Sequence, residues 1–222
     1  MKSLFVAGTG TDIGKTHVAC ALLRSALAEG LTVDAFKPVV SGFDPDDAAA
    51  SDPARLAEAL GEPDALTRIS PRRYRAPLAA NLAARLEGQT LLLTDLVADC
   101  QARLGRENRD LLLIEGAGGV MSPLTDDATN LDLMVALGLP VLLVAGSYLG
   151  TVSHVLTALE VIRSRNLTVA AIVMSESLDA PDLTQTADLL RDFETRAPLV
   201  VAPRAREWDG SELLQAILHG QA

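Results

Sequence analysis

The run Gly8-Thr9-Gly10-Thr11-Asp12-Ile13-Gly14-Lys15-Thr16 constrains this chain more than any other stretch. Glycines open it and stand again at its seventh position, and Lys-Thr closes it, which is the pattern of a P-loop. An apolar run at 4–7 precedes it as a short buried strand, and apolar residues recur at helical spacing over 18–27. Gly8 and Gly14 let the backbone fold tightly around a phosphate. The loop amides and the start of the following helix add hydrogen-bond donors and a partial positive charge. Lys15 is placed to reach the outer phosphates, and the Thr16 hydroxyl to help hold magnesium.

The rest of the chain repeats the strand–helix alternation. Strands are predicted at 32–37, 110–115, 140–145, 169–174 and 199–201. Helices are predicted at 54–60, 78–86, 91–104, 130–137, 151–163, 183–193 and 211–218. Residues 42–53, rich in Asp, Ala, Gly and Pro, read as a surface loop, and 61–77 as a less regular insert. Continuous apolar strands between amphipathic helices specify an α/β fold, a P-loop NTPase-like three-layer sandwich with a mostly parallel central sheet. With 222 residues and no repeat, a single domain over 1–222 is expected.

Composition narrows the partners. A net charge of −10 argues against a nucleic-acid or anionic-membrane surface, though a P-loop still makes its own local field for small anions. The longest apolar runs are far below membrane-spanning length, and no signal peptide is visible at the N-terminus. Cys20 and Cys100 fit a reduced interior, so the cytoplasm is the expected compartment.

Two further groups carry chemistry. Glu115 ends the strand at 110–115, where an acid in a P-loop protein commonly binds magnesium. Lys37 ends another hydrophobic strand and so points to the same carboxyl edge of the sheet. Its compact charge suits a transferring phosphoryl group or a carboxylated substrate, or else a purely structural pairing. Ser41 is close enough in sequence to add a hydrogen bond, and Asp44, Asp46, Asp47 and Asp52 are all candidates for another magnesium ligand. Asp12, inside the loop, would repel phosphate if turned inward, which favours an outward role toward a second substrate or an amine. His17 and His154 lack metal-site spacing. Arg68, Arg72, Arg73 and Arg75 form either a solvated basic loop or a contact for an acidic group or another subunit.

The blocks Lys37-Pro38-Val39-Val40-Ser41-Gly42, Ser51-Asp52, Glu115-Gly116-Ala117-Gly118-Gly119, Ser122-Pro123-Leu124 and Leu149-Gly150-Thr151-Val152-Ser153-His154 follow the P-loop in this order. Together they resemble the dethiobiotin synthetase family over most of the chain. The resemblance implies an ATP- and magnesium-dependent ring closure of 7,8-diaminononanoate with carbon dioxide. One amine forms a carbamate, its oxygen attacks the γ-phosphorus, and the second amine attacks the resulting anhydride. It further implies Lys37, Lys15 and Thr11 as catalytic, and Thr16, Asp52 and Glu115 as the residues that arrange magnesium. Nucleotide contacts would come from 12–17, that is Asp12, Ile13, Gly14, Lys15, Thr16 and His17, with Glu115 and Gly118. On the base side they would come from Ser175, Pro203 and Glu207. Asp12, Lys37 and Ser41 would meet the reacting end of the substrate. Gly118, Val120, Leu149, Gly150 and Ser153 would hold its tail, the last three from the partner in a homodimer whose substrates sit near the interface.

Three positions depart from the family pattern. Ser175-Glu176 stands where Asn-Asp is usual on the base side. Ala79-Ala80-Asn81 replaces a common Ser-Pro-His, and Ser153 replaces an Asn found in some relatives. Two rivals share part of the pattern. Partitioning-type P-loop ATPase switches carry a signature lysine early in the loop, where this chain has Gly8-Thr9-Gly10. The related amide-forming synthetases of cobalamin synthesis need a further amidotransferase domain for which there is no room.

Overall fold

The computed structural model describes residues 2–106, 108–178, 180–204 and 208–219. In chain order its elements begin with β1 (Lys2–Gly8), α1 (Lys15–Ala28), β2 (Val33–Phe36), β3 (Val39–Ser41), α2 (Asp52–Ala59), α3 (Leu66–Ile69) and β4 (Arg72–Tyr74). They continue with α4 (Ala80–Leu86), α5 (Leu93–Leu104), β5 (Leu111–Glu115), α6 (Asn130–Leu137) and β6 (Val141–Gly146). The last are α7 (Thr151–Ser164), β7 (Val169–Ser175), α8 (Leu183–Phe193), β8 (Leu199–Ala202) and α9 (Ser211–His219). Among the described residues the main sheet has six strands in the order β2-β5-β1-β6-β7-β8, every pair parallel.

Burial on both faces explains the unbroken apolar runs. In β1, Phe5 and Ala7 enter one core while Leu4 and Val6 enter the other. In β5, Leu112 and Ile114 side with Phe5, and Leu111 and Leu113 with Leu4. Val18 and Leu22 of α1, Leu56 of α2 and Leu213 of α9 cover the Leu4 face. Leu96 of α5, Met134 of α6, Leu159 of α7 and Leu190 of α8 cover the Phe5 face. The result is the expected three-layer α/β arrangement. Its carboxyl edge opens beside β1, where the strand order reverses between β5 and β6, the place such sheets leave for ligands.

The region after β2 is more ordered than its sequence suggests. Past Pro38 the chain enters β3, which pairs parallel with β4 as a separate two-stranded sheet. The insert at 61–77 therefore contains a helix and a strand. The loop at 42–53 is also shorter than expected, because α2 starts at Asp52, with the Ser51 side chain accepting from the Ala54 amide. Three of the four clustered arginines, Arg68, Arg72 and Arg73, make contacts within the fold. Arg68 pairs with Asp34 at 2.7 Å and with Glu62 at 2.5 Å. Arg72 pairs with Asp99, and Arg73 donates to the Ser70 carbonyl and lies over the Phe43 ring. Among the described residues no helix is long and apolar enough to cross a membrane.

Candidate active site

The P-loop lies between the end of β1 and the start of α1. Gly14 adopts φ 94°, and a Cβ there would fall 2.5 Å from the Ser175 hydroxyl. Only glycine lets the loop turn while packing against the end of β7. Lys15 and Thr16 form the first turn of α1, both buried. Lys15 Nζ folds back and donates to the Gly10 carbonyl at 2.9 Å. Burial, with the Lys37 charge next, pushes its pKa down to about 8.

Three elements deliver charge to this point. Lys37, just past β2 and 3% exposed, reaches Glu115 Oε1 at 2.5 Å and Asp52 Oδ2 at 2.6 Å. Thr16 Oγ1 donates to the same Glu115 oxygen at 2.7 Å. Burial alone would lower the Lys37 pKa, but the two carboxylates outweigh it and hold it above its ordinary value. Burial likewise works against Asp52 ionising, and Lys37 still holds its carboxyl below the usual range. Glu115 is 1% exposed, and its Oε2 has no hydrogen-bond partner. Such an acceptor is costly to bury unless something else completes it.

These donors fit a divalent cation. Two carboxylates and a hydroxyl are hard oxygen ligands, and the Lys37 ammonium already stands among them as a cation. Among the described residues no set of three or more His, Cys, Asp and Glu side chains could hold a metal without other ligands.

A cleft of about 630 Å³ opens over this cluster. The P-loop residues Thr11, Asp12, Ile13, Gly14, Lys15 and Thr16 line it. So do Lys37, Ser41 and Asp52, with Gly118, Ser175 and His17. Asp12 sits exposed at the loop tip with φ 56°. His17 faces Trp208, and burial followed by the charges of Arg24, Arg204 and Arg55 lowers its pKa. The sequence reading missed Arg55 and Arg204, which also line the cleft. Arg55 follows Asp52 by one helical turn on α2, a signal that was available once that helix was placed. Glu176, noted only as a departure, accepts from the Arg204 amide at 2.7 Å and borders the same end.

A second cleft of about 480 Å³ adjoins the first across the P-loop backbone. Thr9, Gly10, Gly119, Val120 and His154 are among its walls. Leu149, Gly150 and Ser153 line neither cleft: Leu149 is 89% exposed, and Ser153 lies exposed in the first turn of α7. Pro203 also lines neither, although it precedes Arg204, and Glu207 lies outside the described residues.

Comparison with known proteins adds to this geometry. The family described as the AAA domain matches residues 2–203. The ATP-dependent dethiobiotin synthetase BioD of Caulobacter vibrioides strain NA1000 is 71% identical over 98% of this chain and 100% of its own length. The protein of the same name from Phenylobacterium zucineum is 57% identical over 92% of this chain and 89% of its own. Among solved structures, a putative plasmid partition protein of Borrelia burgdorferi, bound to AMPPNP, aligns with a TM-score of 0.53 at 13% identity. That alignment covers 98% of this chain and 96% of the other, and at such identity it speaks to the fold alone.

Proposed function

The chain belongs to the ATP-dependent dethiobiotin synthetases, and from that premise we propose that it closes the ureido ring of dethiobiotin from 7,8-diaminononanoate, carbon dioxide and ATP. The observation that carries the reading is the meeting of Lys37, Asp52 and Glu115 over the P-loop. A simple nucleotide switch does not need a buried lysine at that point.

In this reading the carbamate of one substrate amine enters the larger cleft beside Thr11, Asp12 and Ser41. Its oxygen attacks the γ-phosphorus as ADP leaves. The second amine then attacks the carbonyl carbon, loses a proton and expels phosphate, closing the ring. Lys15 and Lys37 offset charge that grows between carbamate and phosphates, where buried and preorganised cations act most strongly. Asp12 faces the amine end. Thr16, Asp52 and Glu115 would hold magnesium, which supplies counter-charge to the phosphates when bound. The base lies toward Ser175 and the end of the cleft where Arg204 follows Pro203, and Gly14, Ile13 and His17 border the nucleotide.

The substrate tail crosses Gly118 and reaches Val120 in the second cleft. We further propose a homodimer, in which the exposed segment carrying Leu149, Gly150 and Ser153 closes that cleft on a second copy. Residues 1–222 then act as one domain. The free thiols Cys20 and Cys100 suit a cytoplasmic enzyme, their pKa values pushed up to about 12 by burial. The test is to supply purified protein with bicarbonate, diaminononanoate and ATP and to follow phosphate and product mass together. Equimolar phosphate and dethiobiotin are expected, and absence of dethiobiotin would overturn the assignment.

A further inference from the structure

The turn at 116–120 separates the two clefts. Ala117 and Gly118 border the larger, and Gly119 and Val120 border the smaller. A turn made so largely of glycine has few side chains with which to fix its own shape. Its surroundings must do so. A Cβ on Gly116 would fall 2.9 Å from Phe5 Cε1, and one on Gly119 would fall 3.3 Å from the Gly10 backbone. Val120 donates its amide to the Gly8 carbonyl at 2.9 Å, which ties the turn to the P-loop. Gly119 donates its amide to Ser122 Oγ at 2.8 Å.

Gly116 donates its amide to the Val6 carbonyl at 3.1 Å, and the Ser122 amide donates to the Gly119 carbonyl at 3.0 Å. Two further ties come from one side chain. Asn130, the first residue of α6 and 2% exposed, donates from Nδ2 to the Ala117 carbonyl at 2.5 Å and to the Gly119 carbonyl at 2.8 Å. Its backbone amide donates to the Ser122 carbonyl at 3.0 Å. Because both neighbours of Nδ2 are acceptors, the orientation of the amide is determined by chemistry. Asn130 Oδ1, near Gly116, has no hydrogen-bond partner. Burying an unpartnered acceptor is unfavourable, and filling space does not require it. Holding two carbonyls on either side of Gly118 does require a side chain with two donors. The base of Asn130 is itself fixed, because the Asp132 carboxylate accepts from the Thr129 amide and hydroxyl at 2.8 Å each.

We infer that Asn130 is a positioning residue for the diamine substrate, holding the 116–120 turn so that its backbone can meet the substrate between the two clefts. This rests on the proposed function only in naming that substrate. Asn130→Asp keeps the shape but turns a carboxylate oxygen toward two carbonyls, and Asn130→Ala removes both ties. Both variants are to be compared with wild type by steady-state kinetics, thermal unfolding and amide hydrogen exchange. The KM for diaminononanoate is expected to rise about tenfold or more, while that for ATP changes about twofold or less. Exchange at the Gly119 and Val120 amides is expected to accelerate, with Lys15 and Thr16 unaffected. Unchanged exchange at Gly119 and Val120 in both variants would overturn the inference. So would parallel rises in both KM values that track a lowered melting temperature. If wild type makes no dethiobiotin, the functional assignment fails, and hydrogen exchange still decides whether Asn130 holds the turn.

Discussion

Two buried ion-pair systems in this molecule are built differently. Between α7 and α8, Arg163 grips Glu194 through both guanidinium nitrogens, at 2.6 and 2.8 Å. The same carboxylate accepts from the amides of Arg196 at 2.8 Å and Ala197 at 3.0 Å. Both of its oxygens are occupied, and the Arg163 hydrogen bonds, with those amides, hold its pKa down to about 2. At the carboxyl edge of the sheet, Glu115 carries Lys37 and Thr16 on one oxygen and nothing on the other. Asp52 offers Lys37 one oxygen and remains partly open to the cleft. A carboxylate that only joins helices is saturated by the protein. One whose buried oxygen meets no protein donor is arranged for something that arrives, and under the proposed function that is the metal–nucleotide complex.

The largest effect expected to sharpen this contrast is at Lys37. Replacing it with Gln should lower dethiobiotin formation about 10³-fold, since a preorganised charge over the reacting phosphate is removed. It should also lower the melting temperature, because two buried carboxylates lose their cation. Magnesium should then stabilise the variant more than it stabilises wild type, since the ion takes over a charge that Lys37 supplies. Turnover within tenfold of wild type would remove Lys37 from the chemistry. Equal melting shifts with magnesium would show that the carboxylates do not take up the ion.

Arg163→Ala is the matching change in the saturated pair. It should cost about 2–3 kcal/mol of unfolding free energy. That is below the ~3–5 kcal/mol of a stranded buried charge, because two backbone amides still serve Glu194. Turnover at 25 °C should stay within about twofold. A comparable loss of activity would mean that the two systems are coupled through the sheet. Denaturant unfolding and steady-state assays on the same preparation decide this.

How far each region could be read from sequence follows from the physics of its parts. Leu-Leu-Leu-Ile-Glu in β5 is buried throughout, so its strand and the position of Glu115 at its end were plain. Lys37 was placed at the same edge by the same reasoning. β3 and β4 were not legible, because three residues show no usable alternation and Arg72-Arg73 reads as a polar loop. Ser51-Asp52-Pro53 did carry a helix-start signal, a capping serine before proline in the first turn. Reading it would have selected Asp52 over Asp44, Asp46 and Asp47 as the acid carried toward Lys37. Asn130 left no trace in the sequence. Its partners are carbonyls of a distant turn, and backbone groups have no sequence signature.

The smallest effect concerns acid. Glu194 has a folded pKa near 2, below the ordinary 4.5 that it would regain on unfolding. A carboxyl whose folded pKa is depressed contributes stability that is complete above the unfolded value and is lost as pH falls toward the folded one. Below about pH 4.5 the unfolded chain binds a proton at this position that the folded chain refuses, so unfolding is increasingly favoured. Glu194→Gln lacks this titration. The difference in urea midpoint between wild type and this variant should therefore be constant from pH 7 to about 5. It should then narrow steadily as pH falls toward 3. A gap that stays constant over the whole range would mean that the ion pair contributes by shape and hydrogen bonding alone. The contrast between a charge held for the fold and one held for a ligand would then have to rest on Glu115 without its counterpart.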